Sequence, residues 1–178
     1  MPHPISPLGA GHTLISLVPL AAGLYSFVRH GGVDCATRSG KVYLAGLALA
    51  VFTSFGLSSS GGFNVGHALG IVALLAAGAG MLVFRVPFLR RVHPYLSAFA
   101  LSFSFFLLLV PGINETLTRL PAAHPLAEGP QSPVVRGALA AWLGIFVLGS
   151  VVQGWWIRSR RKLPQAPGGR NAIADRRG

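Results

Sequence analysis

The sequence predicts an all-α integral membrane protein: a bundle of five transmembrane helices, in which a four-helix core is joined by a fifth helix on the C-terminal side. Three observations carry this. Only 11 % of the 178 residues are charged and 52 % are hydrophobic, whereas a soluble globular domain carries roughly 25 % charge. The charge is missing from five long runs and concentrated between them and at the C-terminus. A span needs about 20 apolar residues, and each run is near that length. Finally, the basic residues gather on alternate connections, as helices threaded up and down through a bilayer require.

Residues 1–8 hold Pro2, Pro4 and Pro7 and read as an irregular lead-in. The first span is expected over about 9–28. Pro19 lies inside it as a point of bending, and Tyr25 near its end suits the membrane interface. A cleaved signal peptide is not expected, because no basic segment precedes the run and further spans follow it. Arg29–Lys41 is a polar connection containing Cys35, the single cysteine, which excludes an intrachain disulfide. The second span covers about 42–59 and closes in Ser58-Ser59-Ser60, with Gly61 and Gly62 after it. So short a link makes the second and third helices antiparallel neighbours.

The third span, about 64–84, is poor in bulk: Gly66, Gly70, Ala73, Ala77 and Gly80 recur through it. Gly66 and Gly70 form a small-xxx-small pair that lets another helix, or a flat cofactor, come close. Val86–Pro94 is a short basic loop. The fourth span is expected over about 95–112, its phenylalanines facing lipid and neighbouring helices, with Pro111-Gly112 ending the helix. A proline-rich loop follows over 113–133. The fifth span, about 134–157, is anchored by Trp155 and Trp156 and followed at once by Arg158, Arg160, Arg161 and Lys162. Residues 1–162 thus form one membrane domain, and 163–178 a polar, basic tail of disordered composition.

The net charge of +11 serves this topology rather than nucleic acid. One face receives Arg29, Arg38, Lys41, Arg85, Arg90, Arg91 and the cluster Arg158–Lys162; the other receives Arg119 and Arg136. The expected location is a bacterial inner membrane, N-terminus outside and C-terminus cytoplasmic. The basic face is expected to meet membrane lipids, including anionic phospholipid.

Two histidines enter the membrane from the outer side at matched depth on different helices, His12 and His67. Imidazole ligates haem iron and transition metals, so His12 and His67 are the candidate metal ligands, able to clamp a haem b with Gly66 and Gly70 making room for the macrocycle. A quinone-type ligand is another use. The plainer reading is that each caps a helix end or holds a loop. At the cytoplasmic mouths of spans two and four, Arg38, Lys41, Arg90, Arg91 and His93 are candidates for an anionic pocket, with Tyr43 reaching the same interface. No Cys-x-x-Cys, His-Glu-x-x-His or phosphate-cradling glycine loop is present, and the four acidic residues all lie in connections or the tail. Hydrolytic chemistry is therefore not expected.

Thr37-Arg38-Ser39-Gly40-Lys41-Val42-Tyr43 opening the second span, and Arg90-Arg91-Val92-His93 opening the fourth, together with His12 and His67, resemble elements of the uncharacterised bacterial membrane family DUF2306. The resemblance covers about residues 10–112. It departs at Thr37, where that family has histidine, and after His93, where Pro94-Tyr95-Leu96 replaces Arg-Trp-Met. It implies a four-helix core with an added fifth helix and no settled activity. Two functions follow as expectations. One is a non-enzymatic accessory or subunit packed against another membrane protein. The alternative is a haem-binding or quinone-interacting redox protein built on His12 and His67.

Overall fold

The structure, a computed structural model, describes residues 7–57, 62–121 and 123–162. Among the described residues it is all-α, as expected, with five α-helices: α1 (Pro7–His30), α2 (Arg38–Ser54), α3 (Val65–Leu82), α4 (His93–Arg119) and α5 (Pro133–Lys162). Four of them, α1, α3, α4 and α5, are long and apolar enough to cross a membrane. The α2 helix has 17 residues and runs on into a three-residue 3-10 turn, Phe55–Leu57. Helix and turn together measure about 31 Å, against a hydrocarbon core of about 30 Å. The serine run expected to close this span, and the tail from 163 onward, lie outside the described residues.

The helices pair as two hairpins, α1 on α2 and α3 on α4, with α2 meeting α3 between them and α5 laid against α4. The core they share is thin and built around Tyr43, Leu47 and Val51 of α2, Ala73 and Ala77 of α3, and Leu101, Phe105 and Leu107 of α4. Small residues make it possible. Along α1, Pro19, Gly23 and Ser26 fall on one face. Pro19 is fully buried against Gly46, where an added Cβ would come within 2.8 Å of the proline ring, and Gly23 fronts the ring of Phe105. Ser26 donates to Ser39 Oγ at 2.8 Å. Pro19 thus lies inside a continuous helix as a packing residue. The expected small face of α3 is shared between two neighbours. A Cβ at Gly70 would lie 3.1 Å from Val51 of α2, and one at Gly80 would lie 3.0 Å from Leu101 of α4.

Two boundaries differ from the sequence expectation. Pro111-Gly112 does not end the fourth helix, which continues to Arg119. A proline removes its own N–H from the ladder and crowds the carbonyl four residues before it, a cost that membrane helices tolerate. The continuation carries its own local bonds: Thr116 Oγ1 donates to Gly112 O at 2.7 Å, Thr118 Oγ1 to Asn114 O at 2.8 Å, and Glu115 pairs with Arg119. At the other end of the chain α5 runs past the double tryptophan, so Arg158, Arg160 and Arg161 sit on helix rather than beyond it.

The phenylalanines of α4 make the seam with α5. Phe106 packs on Phe146 at 4.9 Å between ring centroids and stacks on Trp142 at 6.1 Å, while Phe103 reaches Phe146 at 5.8 Å. Trp142 Nε1 donates to Phe106 O at 3.1 Å, so the indole's polar edge is satisfied within the seam.

Candidate functional site

The histidine end of the bundle brings the first residues of α1 and α3 to the last residues of α2. His67 is 3 % exposed and forms the third residue of a capping box. Asn64 Oδ1 accepts from His67 N at 3.1 Å, and the Asn64 backbone N–H donates to His67 Nδ1 at 3.2 Å. That leaves the ring proton on Nε2, which donates at 2.9 Å to the carbonyl of Ser54, the last residue of α2. Phe55 stacks on the imidazole at 4.7 Å with an interplanar angle of 8°. One ring therefore caps α3, tethers α2 and closes the apolar layer above it.

His12 makes the opposite choice of tautomer. Thr53 Oγ1 spends its proton on Leu49 O at 2.9 Å, so the 2.9 Å contact to His12 Nδ1 must carry the imidazole's proton. His12 Nε2 is left to accept from Ser16 Oγ at 3.3 Å. The two matched histidines thus converge on consecutive residues, Thr53 and Ser54, through one nitrogen each, while the second nitrogen of each ring bonds nearer home, to Ser16 for His12 and to Asn64 for His67. The plainer sequence reading, capping and loop-holding, describes these bonds. For metal ligation the freer lone pair is His12 Nε2; the lone pair of His67 is committed within its cap. Gly66 lies on the exposed first turn of α3, and the space beside Gly70 is taken by Val51. Among the described residues no group of three or more His, Cys, Asp or Glu side chains is placed to hold a metal ion.

At the opposite end, the six residues expected around an anionic ligand divide. Arg38, Lys41, Arg90 and Arg91 are exposed. Tyr43 does not reach the interface. It is fully buried, and its hydroxyl donates to Ser104 Oγ at 2.7 Å, because Ser104 spends its own proton on Leu101 O. A phenol in an apolar core must find such a partner, and Ser104 supplies it. His93 is 8 % exposed and turns into its own loop, donating from Nε2 to Val86 O at 2.8 Å with Phe84 edge-on to it at 5.4 Å. Cys35, half-buried beside the core, has its thiol pushed up by burial and, next, by the Asp34 carboxylate.

Sequence reasoning passed over Gln153, a lone amide in the apolar run of α5. Its Oε1 accepts from Ser102 Oγ at 2.9 Å and its Nε2 donates to Gly31 O at 2.8 Å, so it joins α4, α5 and the α1–α2 connection. A lone uncharged polar residue within an otherwise apolar run is the signal that could have found it. Arg161 completes this docking, with its guanidinium donating to Arg91 O at 2.7 Å and lying 5.3 Å over the Tyr95 ring. No family model, no curated protein and no solved structure matches this chain, so what the site can do rests on its own geometry.

Proposed function

We propose that this chain is a small accessory or subunit protein of a larger membrane complex, without catalytic activity of its own. It would lie in a bacterial inner membrane with its basic end in the cytoplasm. The observation that carries the reading is the character of α5. One side of this helix is stitched to α4 by the aromatic seam, by Gln153 and by Arg161. The rest leaves Ile145, Leu148, Val151 and Trp155 exposed, each 59–68 %. A fifth helix that adds so little core has the form of a helix meant for other company in the membrane. The test is extraction of the tagged chain from its own membrane in mild detergent. The expected result is one stoichiometric protein partner, released by the double substitution Leu148→Asn and Val151→Asn. A chain that runs alone with lipid defeats the reading.

The convergence of His12 and His67 on Thr53 and Ser54 favours a second reading, a haem- or quinone-linked redox protein. A haem held by both rings would require His67 to leave Ser54 O or Asn64 N. A visible spectrum of the purified protein decides it. A Soret band that shifts on reduction and disappears in His12→Ala supports haem, and a colourless protein with full helical content removes it.

A further inference from the structure

A cleft of about 270 Å³ opens at the basic end between the α1–α2 connection, α4 and the last turns of α5. Two glycines shape it. Gly31 takes φ +75°, a left-handed conformation that glycine adopts freely. A Cβ on Gly32 would collide with the Gln153 amide. Because Gln153 is bonded at both its ends, it holds the connection against α5 and fixes the shape of the cleft. The walls are largely apolar, from Ala98, Val152 and Ile157.

Two charges line this cleft. The Arg160 guanidinium lies 5.0 Å over the Trp156 ring, and Asp34 uses Oδ1 to accept from Ala36 N at 2.9 Å. They make no ion pair with each other; among the described residues the sole ion pair, Glu115–Arg119, is at the opposite end of α4. A cation and an anion that share a small apolar cleft without pairing complement a zwitterion: a phosphate toward the guanidinium, an ammonium toward the carboxylate. The tryptophan pair marks the level at which lipid headgroups lie. From there Val152 and Val151, both exposed, give an acyl chain an apolar path along α5.

We propose that this cleft binds the phosphoethanolamine headgroup of a membrane phospholipid. A phosphatidylglycerol headgroup offers Asp34 neutral hydroxyl donors but not the positive charge of an ammonium. A choline headgroup has no N–H for the carboxylate, and the aromatic face that would suit its methyl groups is covered by Arg160. His30 also lines the cleft, edge-on to Tyr25 at 6.3 Å.

The test is native mass spectrometry of the full chain released from vesicles holding equal parts phosphatidylethanolamine, phosphatidylglycerol and phosphatidylcholine. The expected result is preferential retention of one phosphatidylethanolamine. Each of Arg160→Gln and Asp34→Asn lowers that retention about tenfold, the loss that removing one charge-assisted hydrogen bond implies. Asp34→Asn also moves the preference toward phosphatidylglycerol, while Arg158→Gln on the same helix leaves it unchanged. Equal retention of the three lipids, or phosphatidylglycerol retained first by the unaltered protein, overturns the proposal. Asp34→Asn keeps the oxygen that accepts from Ala36 N, so the connection stays folded and the result reads the ligand.

Discussion

The two ends of the bundle are built on opposite plans. At the histidine end, polar side chains hold the helices: His12 on Thr53, and His67 on Ser54 and Asn64, with both nitrogens of each ring engaged. At the basic end the backbone does much of the work. Gly40 lets the first turn of α2 close over the Asp34 carbonyl, and Gly31 and Gly32 bring the connection under Gln153 and Trp156. Most of the charged side chains there are left facing outward. The histidines, the residues with the most recognisable chemistry, thus have their ring nitrogens in hydrogen bonds within the bundle. The polar surface still open to a ligand is at the end where charge first reads as orientation alone.

This contrast can be broken most severely at the basic end. Gly40→Val forces a side chain into the Asp34 carbonyl, where backbone cannot yield cheaply. A loss of about 3 kcal/mol or more is expected, read as a lowered midpoint in detergent unfolding. Gly40→Val as stable as the parent would mean the connection is not held this way. At the histidine end, His67→Ala removes a cap, the tether to Ser54 and a stacked ring together, so about 2–3 kcal/mol should be lost on the same measurement. His12→Ala removes one good hydrogen bond in a half-buried place and should cost about 1 kcal/mol. If both histidine variants were neutral in stability, the rings would be held for something other than structure.

The smallest effect concerns Cys35. Its raised pKa means a smaller thiolate fraction at pH 7–8 than in a free thiol, so maleimide labelling should be slower than for an exposed cysteine, and its rate should keep rising above the usual thiol range. Asp34→Asn removes the second of the two causes and should speed labelling modestly. Labelling at the free-thiol rate would show the connection to be open.

Much of the architecture is legible from pattern alone. The five apolar runs, the contact of α2 with α3 and the small face of α3 follow from hydropathy, loop length and residue size, which are local properties, whereas the closer pairing of α1 with α2 and of α3 with α4 does not. The partners of that face are not local: nothing near Gly70 or Gly80 in sequence says that one meets Val51 and the other Leu101. Pro111-Gly112 has the form of a helix end, yet the chain passes through it as continuous helix to Arg119, as membrane helices tolerate. Tyr43, two residues after Lys41 near the start of α2, has the form of an interface anchor, but Ser104, 61 residues away, draws its hydroxyl inward.

The sequence by itself determined the class, the helices and the side on which basic charge collects, since each depends on what a segment must hide from water or lipid. Only the tertiary structure decided what the polar residues do. A histidine, a tyrosine or a glutamine in a membrane helix must find a hydrogen-bond partner, and for His12, His67, Tyr43 and Gln153 at least one partner lies on another helix. The bonds of His12 and His67, and the unpaired charges of Asp34 and Arg160 around one cleft, exist only after the bundle has closed.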